Sequence, residues 1–215
     1  MSTPISDASL TISEDQTDRA VLGIILSNVF AIAVVLLTNG GLLTLLWPYW
    51  AQSLVIGFYA RRRILARGAH DSRGTASLFV LHYGIFHIGY CVFFATLTSQ
   101  AGTTGVVPVN FNGEMRDFAV GTVSLLDAVS IVVISISFVF SHRASHREHL
   151  EADVRGQPKV NTLVAIPYVR IIPMQVIIIL GVLTGAELGL VLFGGLKTAA
   201  DVIMHKVEHR MLQRS

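Results

Sequence analysis

Apolar residues form six long runs along this chain of 215 residues, and polar residues collect between the runs. A helix needs about 20 predominantly apolar residues to cross the hydrocarbon core of a bilayer. We therefore predict an all-α polytopic transmembrane bundle of six helices, at about 20–37, 42–59, 76–97, 118–140, 164–183 and 186–205. For the first two runs, a re-entrant hairpin is the alternative to two full spans. We expect helices three, five and six to line the core.

The composition agrees with a membrane protein. Hydrophobic residues make up 52% of the chain and charged residues 14%, with a mean hydropathy of +0.61, whereas soluble domains carry about 25% charged residues. The net charge of +2 gives no reason to expect a nucleic-acid partner. The single cysteine, Cys91, excludes an intrachain disulfide framework. The predicted partner is the lipid bilayer, and a homo-oligomer remains open.

The basic residues predict the orientation of the bundle, because cytoplasmic loops carry an excess of Lys and Arg. With six spans, three segments lie on one side of the membrane: the connection between runs two and three, the connection between runs four and five, and the C-terminal tail. Together they hold Arg61, Arg62, Arg63, Arg67, Arg73, Arg143, Arg147, Arg155, Lys159, Lys206, Arg210 and Arg214. The opposite loop, 98–117, has Arg116 as its single basic residue. We predict a protein of the cytoplasmic (inner) membrane with both termini cytoplasmic. The loop 98–117 is expected to lie on the membrane surface as a short hairpin.

The predicted domain division follows from the same pattern. Residues 1–18 are polar and acidic and lack the basic start and short apolar core of a signal peptide. They are expected to be a disordered cytosolic tail. Residues 19–210 form the transmembrane domain, and 211–215 form a second cytosolic tail.

The last apolar run carries ionisable residues at four-residue spacing. Lys197, Asp201, His205 and His209 form one slowly drifting stripe on a helix. Ionisable groups at membrane depth are costly and usually face the bundle interior. Lys197 and Asp201 are predicted to form an intrahelical ion pair. His209 is placed at the cytoplasmic rim together with Glu208.

The third run supplies histidines at comparable depth. At a rise of about 1.5 Å per residue, His82 matches the level of Asp201 and His205, and His87 matches Lys197. Tyr83 lies on the same face as His87. Three interpretations of His82, Asp201 and His205 remain open: a hydrogen-bonded structural network, a site for a divalent metal such as zinc, and a path for protons or ions.

Other polar residues extend this picture. Arg170, near the start of the fifth run, either pairs with Asp201 or Glu208 or reaches lipid phosphate, and Gln175 is an expected interior hydrogen-bond partner. Asp127 is predicted within the fourth span, too far from His205 for contact.

Three histidines follow helical spacing after the fourth run: His142, His146 and His149. They predict a solvated, charged extension of helix four, with a cytosolic metal site as the alternative.

Several motifs resemble a known family. They are Tyr49-Trp-Ala-Gln-Ser53, His82-Tyr-Gly-Ile-Phe86, Pro167-Tyr-Val-Arg-Ile171 and Lys197-x3-Asp201-x3-His205-x2-Glu208-His209. Their order and spacing resemble a family of uncharacterised prokaryotic multi-pass membrane proteins with a domain of unknown function. The resemblance implies one motif set containing His82, Tyr83, Arg170, Lys197, Asp201, His205, Glu208 and His209. The family often has an acidic residue and Asn in place of Gln52 and Ser53, and His in place of Gln175.

A second set of residues resembles zinc-dependent intramembrane hydrolases of the adiponectin-receptor and alkaline-ceramidase type. Those proteins combine an early His and Asp with a late His-x3-His, for which this chain offers His82 and the pair His205 and His209. They have seven helices, and no early carboxylate lies at the matching depth in this chain.

Three functions follow from these residues. The leading prediction is a non-enzymatic membrane protein whose polar cluster serves small-ion, proton or lipid transport, or a structural or sensing role. The alternative is a metal-dependent lipid hydrolase with metal on His82, His205 and a third ligand, and with Asp201 or Glu208 as base. The third is an assembly partner without chemistry of its own.

Overall fold

The computed structural model describes residues 5–68, 72–156, 158–184 and 194–203, with side chains described for only part of these ranges. The chain is mostly helical there, as the sequence predicts. The elements are α1 (Ile5–Leu37), α2 (Leu42–Ala66), α3 (Ser72–Ala101), β1 (Val106–Phe111), β2 (Glu114–Ala119), α4 (Leu125–Gly156) and α5 (Val160–Thr184). A sixth described helical segment, α6, spans residues 194–203.

Helices α1 to α5 are all longer than the apolar runs that predict them, and three of them extend well beyond one end of the run. α1 begins at Ile5, so it includes residues 5–18 of the segment expected to be a disordered tail. α2 continues to Ala66, and α4 continues to Gly156. The extra turns of α2 and α4 are polar, which is why hydropathy alone places the ends of both helices too early. The division of the chain into a membrane domain and two tails stays a prediction.

The predicted hairpin between α3 and α4 is confirmed. β1 and β2 pair antiparallel, with Val107 opposite Phe118. Asn112 (φ 53°) and Gly113 (φ 86°) form the turn, as expected for a two-residue hairpin loop in which both residues have positive φ. The predicted start of helix four at residue 118 is wrong, because β2 continues to Ala119 and α4 begins at Leu125.

Helix α2 is the centre of the packing. It packs against α1, α3, α4 and α5. Leu43, Leu45, Leu46 and Tyr49 are nearly inaccessible to solvent. The expectation that helices three, five and six line the core is therefore wrong about its centre. That expectation was based on which helices carry ionisable residues, whereas the polar side chains buried in the middle of α2 are uncharged.

Two helices in the described part of the chain are long and apolar enough to cross a membrane. They are Ser72–Ala101 and the first 19 residues of α4, Leu125–Arg143. Two shorter apolar helices are Val21–Leu37 and Val160–Val169. Most apolar side chains of α3 and α4 point outward. In the most apolar stretch of each helix, only 28% of the residues of α3 and 22% of those of α4 are buried. It stays a prediction that the chain crosses the membrane six times and that both termini are cytoplasmic.

Candidate functional site

Four buried polar side chains from three helices meet in the interior of the bundle. We call Asn28 of α1, Tyr49 of α2, and Lys197 and Asp201 of α6 the central cluster; their exposed fractions are 0%, 2%, 4% and 6%. Lys197 Nζ donates to Asp201 Oδ2 over 2.5 Å, and Asn28 Nδ2 donates to the same oxygen over 3.2 Å. Tyr49 in turn donates its hydroxyl proton to Asn28 Oδ1 over 3.0 Å. The predicted Lys197–Asp201 ion pair is confirmed, and it lies in a larger hydrogen-bonded network.

Close contact between α1 and α6 makes this network possible. A Cβ atom on Gly194 would lie 2.3 Å from Ile32 Cδ1, so the Ile32 side chain would have to shift to admit it. Gly194 precedes Lys197 by one helical turn, and Ile32 follows Asn28 by one turn. The close contact at Gly194 therefore lies one turn away from the level at which the short Asn28 amide reaches the Asp201 carboxylate.

The tyrosine ring adds a second contact for the buried ammonium group. Lys197 Nζ lies 4.9 Å from the centroid of the Tyr49 ring, which is within the range of a cation–π interaction. Tyr49 also packs against Phe138 of α4, with ring centroids 5.4 Å apart. The Lys197 charge is thus balanced by one carboxylate and one aromatic face. A buried ion pair requires compensation of this kind for the loss of hydration.

Two of the predicted site residues, Tyr83 and His87, form a second polar cluster between α2 and α3. Ser53 Oγ lies 2.7 Å from His87 Nε2, and His87 Nδ1 lies 2.8 Å from the backbone oxygen of Tyr83. A carbonyl oxygen only accepts hydrogen bonds, so His87 Nδ1 carries a proton. The Ser53 hydroxyl donates to the Trp50 backbone oxygen over 2.7 Å, and its oxygen also lies beside His87 Nε2. The Tyr83 hydroxyl donates to the Ser53 backbone oxygen over 2.8 Å. This geometry makes His87 a link between two helices.

His82 has a different partner from the one its predicted depth indicates. Its Nδ1 lies 2.7 Å from the hydroxyl oxygen of Tyr168 on α5, at an exposed position. The described partners of Asp201 are instead Asn28 and Lys197. Within the ranges that the structure describes, no group of three His, Cys, Asp or Glu side chains is arranged to hold a metal ion.

Several predicted site residues lie outside the described residues or side chains. His205, Glu208 and His209 follow the last described residue. Arg170 and Gln175 lie within α5, at positions whose side chains the structure does not describe. The predicted zinc site on His82, Asp201 and His205, and the hydrolase built on it, therefore stay predictions.

The polar extension of α4 packs along the end of α2. Arg63 donates to both carboxylate oxygens of Asp153, from Nε over 2.6 Å and from Nη2 over 2.7 Å. The rings of Tyr59 and His146 lie 4.3 Å apart. The predicted helical extension is confirmed, but its solvated character is wrong for His146 and Asp153, which are 9% and 6% exposed. The side chain of His149 is outside the described part.

Asp127 has a capping role at the start of the apolar helix Leu125–Arg143. Its Oδ2 accepts hydrogen bonds from the backbone N–H and hydroxyl of Ser124, and the Asp127 backbone N–H lies 3.2 Å from Ser124 Oγ. This reciprocal arrangement is a capping box at the start of α4. Asp127 Oδ1 also accepts from Thr44 Oγ1 over 3.1 Å. The carboxylate therefore joins the first turns of α2 and α4.

Sequence reasoning missed Asn28 and Tyr49 as members of the site. Asn28 is an isolated polar residue in an apolar run, and Tyr49 lies among tryptophans that suggest a membrane-interface belt. An amide in the middle of an otherwise apolar helix was the available signal for Asn28. The pairing of Arg63 with Asp153, 90 positions apart, has no local sequence signal.

The fold and the central cluster define a helical protein with outward-facing apolar helices and an ionisable interior. The chain belongs to a family of unknown function, DUF6498, whose model matches residues 11–215. No curated protein and no solved structure matches the chain. Membership of this family assigns no activity, so a functional proposal has to come from the contacts themselves.

Proposed function

We propose that this chain is a multi-pass protein of the cytoplasmic membrane, with the lipid bilayer around it and both termini cytoplasmic. The outward apolar surface of the helices supports this. On α3, five large apolar side chains are each between 60% and 69% exposed: Leu78, Leu81, Ile85, Ile88 and Val92. Soluble monomers rarely expose continuous apolar patches of this kind. Polar side chains occupy the interior instead, where helices of a membrane bundle meet.

Within that bundle, we propose that the central cluster conducts protons in a proton-linked transport process. The observation that carries the proposal is the Lys197–Asp201 pair, whose two side chains are 5% and 8% exposed. Replacing a buried ion pair by apolar residues of similar volume is often neutral or stabilising. An ionisable pair in the middle of an apolar bundle is therefore expected to serve function rather than stability.

The chemistry of the cluster favours a proton over a metal cation. Alkaline-earth cations bind several oxygen ligands at once. The described groups that contact Asp201 Oδ2 are the Asn28 amide and the Lys197 ammonium, and both are hydrogen-bond donors. If the Asp201 carboxylate accepts a proton, the Lys197 charge remains over the Tyr49 ring. The hydrogen bonds from Tyr49 to Asn28 and from Asn28 to Asp201 hold the carboxylate in place while the proton comes and goes.

Proton flux into liposomes tests this proposal. The full chain is reconstituted with a pH-sensitive dye inside, and a potassium gradient with valinomycin sets the membrane potential. We expect the protein to acidify the lumen faster than protein-free liposomes, and Asp201→Asn to lower that rate by about tenfold or more, because the amide cannot carry the proton. Asp117→Asn is the matched control, since Asp117 is exposed on β2; it should conduct like the natural protein.

Two results would overturn the proposal. The first is a flux equal to that of protein-free liposomes under either polarity of the potential. The second is an Asp201→Asn protein that conducts at the natural rate. In either case the central cluster would be a structural contact between α6 and its neighbours. If Asp201→Asn does not fold, as judged by its helical circular dichroism and its elution, Asp201→Glu replaces it and should conduct at an altered rate.

A further inference from the structure

The side-chain contacts between α2 and α4, which are hydrogen bonds and ring contacts, follow one another along the bundle. Residue numbers increase together on the two helices, so the helices run parallel along this α2–α4 seam. Its contacts are Thr44 with Asp127, Tyr49 with Phe138, Gln52 with His142, Tyr59 with His146, and Arg63 with Asp153. The central cluster meets the seam at Tyr49. The seam therefore joins that cluster to the polar extension of α4.

Gln52 is the next polar side chain on this side of α2. It follows Tyr49 by three residues, which is about 4.5 Å along the helix axis and on a neighbouring part of the same face. Gln52 is 5% exposed. Its Nε2 lies 3.2 Å from Nε2 of His142. On α4, His142 follows Phe138 by one turn, so the two helices advance together from one contact to the next.

The amide oxygen of Gln52 is a buried acceptor without a donor among the described residues. A buried amide oxygen normally has a hydrogen-bond partner, and each exception calls for an explanation. The charged groups near either end of this stretch are already paired: Lys197 with Asp201 on α6, and Arg63 of α2 with Asp153 of α4. The Gln52 oxygen is therefore a position that can accept a hydrogen bond from a passing proton carrier such as hydronium.

We infer that Gln52 and His142 form the step by which protons travel between the central cluster and the polar end of α4. An imidazole can take up a proton at one ring nitrogen and release one from the other, so each transfer leaves His142 uncharged. Only N–H and O–H bonds form and break in this step. The Gln52 amide orients the imidazole and holds the carrier. This inference rests on the proposed proton flux and specifies its route.

Two variants in the liposome assay test the route while Asp201 stays in place. Gln52→Leu removes the buried oxygen, and we expect it to lower proton flux by about tenfold. Gln100→Leu makes the same change at an exposed position at the end of α3 and should leave the flux unchanged. His142→Asn keeps a hydrogen-bonding side chain but has no second ring nitrogen, so it should also lower the flux by about tenfold.

The outcomes separate the route from the function. If Asp201→Asn stops the flux while Gln52→Leu and His142→Asn conduct normally, the route is wrong and the proposed function stands. If the natural protein conducts no protons, both proposals fail. A drop in His142→Asn with unchanged helical content and elution supports the relay, since a merely structural contact would tolerate the asparagine. Should Gln52→Leu fail to fold, His142→Asn alone decides the question.

Discussion

Two buried ion pairs in this protein differ in how they are built. Arg63 and Asp153 are 8% and 6% exposed, come from α2 and α4, and share two short hydrogen bonds. Lys197 and Asp201 are as deeply buried but lie one turn apart on α6. The planar guanidinium matches both oxygens of a carboxylate, whereas an ammonium is a compact charge on a flexible stem. The first pair fixes two helices to each other, and the second contacts α1 through Asn28 and α2 through Tyr49.

This difference indicates that the Arg63–Asp153 pair stabilises the fold and that the Lys197–Asp201 pair serves the proposed chemistry. A bidentate contact between distant segments holds its geometry well, which suits a clamp at the end of α2 and α4. A lysine pair within one helix adds little to the tertiary structure, so its burial needs another explanation. Burial alone therefore does not distinguish a structural ion pair from a functional one. The number of hydrogen bonds and the elements they join are more informative.

The largest expected effect on stability comes from breaking the Arg63–Asp153 clamp. Asp153→Ala leaves the buried guanidinium without its carboxylate, and we expect the free energy of unfolding to fall by about 3–5 kcal/mol. The measurement is unfolding by increasing SDS in mixed micelles, followed by circular dichroism. Arg62→Ala is the control, because Arg62 is exposed and its guanidinium lies 5.6 Å from the centroid of the Phe58 ring. A loss below about 1 kcal/mol in Asp153→Ala, the range of exposed pairs, would show that the clamp is not structural.

The sequence predicts the local features of this molecule and misses those that depend on distant contacts. The periodic spacing of Lys197 and Asp201 predicts their pair because both residues lie on one helix. The composition of the loop 98–117 predicts the hairpin for the same local reason. The central position of α2 could not be predicted, because it depends on how helices far apart in sequence pack.

The same limit applies to the candidate site. Asp201 could be predicted as an interior residue from the cost of burying a carboxylate, but its contact with Asn28 joins residues 173 positions apart. His82 was placed by depth alone, and depth along an axis does not determine which neighbour a side chain faces. Rotation of each helix about its axis decides that, and the apolar residues around His82 leave several rotations open.

The second-largest expected effect lies at a contact without any charge. A Cβ on Gly57 would lie 2.4 Å from Tyr83 Cε1, so Gly57→Ala pushes the Tyr83 ring away from α2. Its hydrogen bond to the Ser53 oxygen is then strained. We expect a loss of about 1–3 kcal/mol in the free energy of unfolding, between those of the buried clamp and an exposed pair. Gly84→Ala is the matched control, because no heavy atom of the described residues lies within 4 Å of the added Cβ. In a helix, alanine is more favourable than glycine by about 1 kcal/mol. Equal losses in both variants would contradict the close contact.

The smallest expected effect comes from the exposed pair on the hairpin, which provides the reference for the two buried pairs. Arg116 Nη2 lies 3.2 Å from Glu114 Oε2, and the two side chains are 49% and 71% exposed. Water and salt screen such a pair, so Glu114→Gln should lower the free energy of unfolding by less than about 1 kcal/mol. The same SDS titration measures this, with Asp117→Asn as the control for loss of an exposed carboxylate on the same strand. The difference should disappear in about 1 M salt, where the screening length is about 3 Å. A loss as large as that in Asp153→Ala would mean that burial does not rank the ion pairs of this protein by their contribution to stability.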